Sequence, residues 1–171
     1  MLERIGRYEL KERIGAGGQA TVYLGEDTLL ERTVAVKVMT QLVSSHSEYI
    51  DTLMNEARLA AGLSHPNIAT VYDFDRVGGP GTAVYITMEL MEGVEIKDYI
   101  RKKVKPKKGL PFEKAYEIIK QIGSGLTYAH EHQLVHSDFK PSNAFLCNNG
   151  KVKTLDFGIA RAVENPITGD L

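Results

Sequence analysis

Hydrophobic periodicity changes once along this chain, near Glu89, and that change narrows the folds open to it. Before it, short β-branched and apolar runs sit between turn residues: Tyr8–Ile14, Ala20–Gly25, Thr33–Met39, Ile68–Phe74 and Val84–Met88. They read as strands. The first two flank a glycine cluster, and the last two are separated by Gly78-Gly79-Pro80-Gly81. One helix interrupts them. Ser47 offers an N-cap, Ile50, Leu53, Met54, Ala57 and Ala61 recur at helical spacing, and Gly62 and Pro66 mark its end. Beyond Glu89 the pattern turns helical. Pro111 suits a first helical turn, and Phe112, Ala115, Ile119, Ile122, Leu126 and Ala129 predict one buried stripe on a long helix. Two short strands, Asn143–Cys147 and Val152–Leu155, follow around the turn Asn148-Asn149-Gly150. Strands first and helices second imply an α+β arrangement of two lobes, 1–90 and 91–171.

Composition removes several function classes. At 171 residues, 43% hydrophobic and 25% charged, the chain is long and apolar enough to bury a core. Its formal net charge of -1 gives no electrostatic case for nucleic acid or a membrane surface. No run approaches the roughly 20 apolar residues of a membrane span, and the N-terminus carries no signal-peptide pattern. The expectation is a cytoplasmic segment without membrane contact; an anchor beyond Leu171 stays open. The single cysteine, Cys147, excludes an internal disulfide and reads as strand packing. The basic run Arg101–Lys108, six Lys or Arg in eight positions, reads as a solvated loop rather than a site for an acidic partner.

Three clusters carry chemistry. Gly15-Ala16-Gly17-Gly18 lies between two strands, where backbone N–H groups can approach a phosphate chain without a Cβ in the way, or simply make a hairpin turn. Lys37 interrupts an apolar strand, so it either snorkels to water or meets an anion. Glu56, at the edge of the first helix's apolar stripe, could supply the opposite charge. The third cluster is the most specific. His136-Ser137-Asp138-Phe139-Lys140-Pro141-Ser142-Asn143 places an acid, a cation and an amide in one loop. Thirteen residues after Asn143, across a hairpin, comes Asp156-Phe157-Gly158. An Asp and an Asn brought together in this way form an oxygen-donor pair suited to Mg2+, and a second Asp could accept a hydroxyl proton.

In this order the motifs resemble the signature set of eukaryotic-type serine/threonine protein kinases, in their bacterial style. GAGGQATV looks like the Gly-rich loop, VAVK the lysine strand, HSDFKPSN the catalytic loop and DFG the metal-binding motif; HPNI at 65–68 resembles the segment after the glutamate-bearing helix. The resemblance runs from Tyr8 to about Arg161. It implies a protein-kinase-like fold: an antiparallel sheet N-lobe with one helix, then a partial, mainly helical C-lobe. It also implies ATP and Mg2+ as cofactors and a protein Ser or Thr hydroxyl as acceptor.

Carried over position by position, Lys37 would hold the α- and β-phosphates and pair with Glu56. Asp138 would be the catalytic base, and Lys140 would neutralise the moving phosphoryl group. Asn143 and Asp156 would bind Mg2+. Ile14, Gly15, Gly17 and Gly18 would cover the nucleotide, with Val22, Ala35 and Phe145 around adenine. Met88 would be the gatekeeper, Glu89 and Met91 would offer hinge backbone groups, and Glu95 would reach the ribose.

Three departures accompany the resemblance. Ala20 replaces the third loop glycine. Ser137 replaces the arginine that binds a phosphorylated activation segment, so that switch is expected to be missing. Leu171 falls inside the activation segment with no APE motif after it, which implies weak or no peptide phosphorylation by this stretch alone. A nucleotide-binding pseudokinase and a small-molecule phosphotransferase of the same fold remain the rival readings.

Overall fold

The computed structural model describes residues 4–17, 20–39, 57–77, 83–103 and 109–157. The chain divides into two compact units: Met1–Ala61 with Thr70–Leu90, and Gly62–Ala69 with Met91–Leu171.

Among the described residues the first unit is built on six antiparallel strands: β1 (Arg4–Ile5), β2 (Tyr8–Ala16), β3 (Ala20–Asp27), β4 (Arg32–Met39), β5 (Val71–Val77) and β6 (Ala83–Met88), ordered β1-β2-β3-β4-β6-β5. Side chains alternate between the two faces of a strand, so the register sorts them. Val34, Val36, Val38 and Tyr85 fall on one face and pack with Ile5 and Tyr8 into a core that Leu10, Tyr23 and Tyr72 flank. Pairing of Val22 with Lys37, Leu24 with Ala35 and Ala35 with Met88 puts the other set on the opposite face.

The sheet curls. Tyr8 on β2 and Asp73 on β5 lie four strands apart in the order, which in a flat sheet is about 19 Å at the usual spacing of about 4.8 Å. Yet the Tyr8 hydroxyl donates to Asp73 Oδ2 at 2.9 Å, and Arg7 reaches the same oxygen at 3.4 Å. The β3–β4 turn is fixed by Asp27, whose side chain is fully buried. Its Oδ1 accepts from Arg7 Nε at 3.1 Å and from the backbone N–H groups of Leu29 and Leu30, both at 3.2 Å.

The second unit holds helices α1 (Ile96–Lys103) and α2 (Phe112–Glu131) and a three-stranded sheet, β7 (Gly93–Glu95), β8 (Ala144–Cys147) and β9 (Val152–Thr154). Its core joins Ile96, Ile118, Ala144, Leu146 and Val152. The β8–β9 hairpin turns through Asn148–Gly150, with Gly150 at φ 83°, where a left-handed residue is needed.

Several expectations are corrected. The fifth strand starts at Val71, not Ile68, because the backbone of 67–69 is already bonded to β9: Thr154 N–H donates to Asn67 O and Ala69 N–H to Thr154 O, both at 2.9 Å. The buried stripe of α2 is also shifted. Phe112 is 76% and Ile119 67% exposed, while Ile118, Gly125 and Ala129 are buried. The apolar face that meets the small sheet is thus Ile118–Ile122–Gly125–Ala129. Ile122 and Ala129 belong to both stripes, and the apolar count passed over Gly125 because it supplies close approach, not hydrophobicity. Arg101–Lys103 close helix α1 instead of lying in a loop, where positive charge suits the helix C-terminus. Strands β1 and β7 were not expected, and helix α1 was not delimited within the helical stretch after Glu89. Of the helix predicted from Ser47 to Ala61, residues 57–61 are described and helical. The rest, with the Gly78–Gly81 turn and residues 104–108, lies outside the described residues.

Candidate active site

In the second unit the catalytic-loop residues lie on a short path after α2. Asp138 N–H donates to His136 O at 2.8 Å, closing a three-residue turn around Ser137, which takes φ 63°. That γ-turn is a strained conformation for a residue with a side chain. Pro141 then starts a single 3-10 turn, Pro141–Asn143, in which Asn143 N–H bonds Lys140 O at 2.8 Å. The turn folds the loop back on itself. Lys140 Nζ meets Asp138 Oδ2 at 2.6 Å, and the buried Asn143 donates from Nδ2 to Asp138 O at 2.9 Å. With its Nδ2 so engaged, the Oδ1 of Asn143 remains the acceptor end.

The strand after the hairpin ends beside this loop. Leu155 N–H donates to Asn143 O at 2.9 Å, and His136 Nε2–H donates to Leu155 O at 2.7 Å. The next residue, half-buried Asp156, has φ 56°. His136 is 3% exposed and packs against Phe139 and Phe157 at ring separations of 5.4 and 4.8 Å.

Asp138, Lys140, Asn143 and the residue preceding Asp156 are therefore joined by direct hydrogen bonds. Among the described residues no group of three or more His, Cys, Asp or Glu side chains could hold a metal. One Asp and one Asn suit a cation that keeps water and phosphate oxygens as its remaining ligands, as Mg2+ does, and not one caged by protein alone.

The other nucleotide candidates in this unit lie on and before the small sheet. Glu95 pairs with Phe145 across β7 and β8, and Met91, half-buried, precedes β7. Gly93 lets these strands approach: a Cβ there would stand 2.1 Å from Leu146 O.

In the first unit, alternation places Val22, Ala35, Lys37 and Met88 on the face opposite the core. Ala35 and Met88 are buried, and Lys37 is half-buried. Gly15 pairs with Val22 after a register shift in β2, and Ile14 beside it is 48% exposed. A Cβ on Gly15 or Gly17 would meet nothing closer than 3.6 Å, so at these positions glycine leaves room rather than relieving a clash. Ala20 opens β3 with its methyl buried. Glu89 uses its side chain as well as its backbone: Oε1 accepts from Thr70 N–H at 2.7 Å, and its N–H bonds Thr70 O at 3.0 Å. Glu56 and Gly18 lie outside the described residues.

Sequence reasoning missed two polar side chains beside β9: Asn67 Nδ2 donates to Val152 O at 2.8 Å and to Gln121 Oε1 at 3.0 Å. Gln121 is a polar residue in a helix, and no spacing marks it. Asn67 stood within the HPNI motif, but nothing in the motif says what it bonds.

A family model described as "Protein kinase domain" matches residues 8–169. The chain is 40% identical over 162 residues to serine/threonine-protein kinase PrkC of Bacillus subtilis, covering 94% of this chain and 24% of that protein. It is 39% identical over 166 residues to serine/threonine-protein kinase PknA of Mycobacterium tuberculosis, covering 95% and 38%. The chain thus spans about a quarter to two-fifths of these relatives' length. A solved structure titled "PpkA-294 apo form" superposes with a TM-score of 0.74 at 27% identity, covering 92% of this chain and 60% of the other.

Proposed function

This chain belongs to the protein kinase domain family, and from that membership we propose that it is the ATP-binding and catalytic-loop part of a serine/threonine protein kinase. The reaction is transfer of the ATP γ-phosphoryl group to a protein Ser or Thr hydroxyl. The observation that carries the reading is the loop in which Asp138, Lys140 and Asn143 are tied to one another and, through Leu155, to the residue before Asp156.

Each residue then has a task. Asn143 Oδ1 and the Asp156 carboxylate would hold Mg2+, which when bound neutralises phosphate charge. Asp138 accepts the hydroxyl proton as the acceptor oxygen bonds to the γ-phosphorus and the bond from that phosphorus to the bridging oxygen breaks, releasing ADP. Lys140, already beside Asp138, offsets negative charge on the transferring group. Lys37 holds the α- and β-phosphates, with Glu56 as its partner. Ile14, Gly15, Gly17 and Gly18 cover the phosphates, and Val22, Ala35 and Phe145 enclose adenine. Met88 limits depth, the Glu89 and Met91 backbones bond the base, and Glu95 takes the ribose. Lys140 and the names of the relatives support Ser/Thr specificity. Dependence on ATP and a lone cysteine support a cytoplasmic setting.

The test is thermal unfolding with and without Mg·ATP. A ligand at 100 times its Kd adds about 2.7 kcal/mol to stability. Lys37→Ala and Asp156→Ala should each shrink the Tm rise, whereas Asp138→Asn should keep it and remove whatever phosphoryl transfer the chain shows. No rise at millimolar Mg·ATP with the folded chain would refute the assignment.

A further inference from the structure

Asp156 is an L-residue in the left-handed region, at φ 56°. Residues with a side chain populate this region sparsely, Asp more readily than most. The strand leading to it is held at residues 152, 154 and 155. Val152 N–H donates to Gln121 Oε1 at 2.8 Å, and Val152 O accepts from Asn67 Nδ2 at 2.8 Å. Thr154 N–H and Oγ1–H both donate to Asn67 O, at 2.9 and 3.0 Å, and Thr154 O accepts from Ala69 N–H. Leu155 is held at both backbone groups by Asn143 and His136.

The edge of β9 that faces away from β8 is therefore closed by the non-strand segment 67–69. Gln121 locks that closure. Its Oε1 also accepts from Asn67 Nδ2 at 3.0 Å, and its Nε2 donates to Gly150 O at 3.3 Å in the hairpin turn. One amide thus grips the segment, the strand and the turn. One helical turn on, Gly125 lets Asn67 O come close, since a Cβ there would lie 2.7 Å from that oxygen. Thr154 is fully buried and Asn67 is 8% exposed, so these bonds exchange little with water.

We propose that Gln121, acting through Asn67 and Thr154, is a positioning residue that sets the Asp156 carboxylate for its metal. This rests on the reading that Asp156 holds Mg2+. Gln121 reaches Asp156 only through the backbone of 152–155, so its loss should cost less than the roughly 10- to 100-fold in metal affinity that follows removal of a direct partner of a metal ligand.

The experiment measures ATP affinity of the chain by calorimetry, once in EDTA and once in saturating MgCl2. Gln121→Met keeps the volume and removes the hydrogen bonds. It should reduce the gain from MgCl2 by about three- to tenfold and leave the EDTA affinity unchanged. Gln121→Glu keeps acceptors for Val152 and Asn67 and should restore most of the gain. Thr154→Val probes the same path from the strand, where its side chain lies beside Gly125, and should act like Gln121→Met if that variant does not fold. Asp156→Asn is the control. If it abolishes the gain while Gln121→Met and Thr154→Val keep it, the positioning role is wrong. Equal losses with and without MgCl2 would mark a merely structural role and overturn it as well. If Asp156→Asn itself changes nothing, the metal assignment fails and the inference falls with it.

Discussion

Three glycines at 93, 123 and 125 have different reasons to be glycine, and substitution separates them. A Cβ added at Gly123 would have nothing within 4 Å, so Gly123→Ala should stabilise α2 by about 0.5–1 kcal/mol through helix propensity alone. Gly125→Ala, two positions on, would press a methyl against Asn67 O at 2.7 Å and should cost about 1–3 kcal/mol. Gly93→Ala meets backbone at 2.1 Å that cannot swing aside, and should cost at least as much. Urea unfolding of the three variants gives the order directly. Ser137 is a fourth case. Its φ of 63° at the centre of a γ-turn makes Ser137→Gly neutral or stabilising, with Asp138 still bonded to His136.

Among elements, α2 decides which way the second unit is packed. Ile118 and Ile119 are adjacent and chemically identical, yet one is 5% and the other 67% exposed. Ile118→Ala should cost about 2–5 kcal/mol by leaving a cavity, and Ile119→Ala less than about 0.5 kcal/mol. A stripe running Phe112–Ile119–Leu126, as apolar spacing alone suggests, requires the reverse ranking. The curled sheet of the first unit makes a pH prediction. Burial pushes the Tyr85 hydroxyl up from 10.0 to about 12, with the nearby Asp75 and Asp73 carboxylates adding to the shift. A pKa raised in the folded state means that stability is intact below pH 10 and is lost as the pH climbs toward 12. Alkaline unfolding should therefore steepen across that window, and Tyr85→Phe should flatten it after allowance for any change at neutral pH.

For the whole molecule, low net charge and exposed apolar side chains act together. The formal charge is -1, and Phe112, Tyr116 and Ile119 on one face of α2 are each more than half exposed. Proteins near zero charge associate more readily through such surface. Sedimentation velocity should show concentration-dependent association of the chain near pH 6.5 that weakens on Ile119→Lys, with Tm nearly unchanged. Association that ignores this substitution would place the contact elsewhere.

The local motifs and the alternation of strands were legible from residue order because each depends on near neighbours. Lys37 on its apolar strand, the loop His136–Asn143, the Asp156 motif and the change of period at Glu89 all follow from spacings of a few residues. So did the α+β class. What tertiary structure alone decided depends on partners distant in sequence. Asn67 bonds Val152 and Thr154, 85 and 87 positions away, and so draws 67–69 out of the fifth strand. The buried face of α2 is set by where Asn67 and β9 sit, which makes Gly125 a contact and leaves Ile119 in water. Tyr8 finds Asp73 only because the sheet curls. Hydrophobic spacing says that a helix has an apolar side. It does not say which neighbour will need a missing Cβ or a side-chain amide, because that need arises only when the other segment arrives.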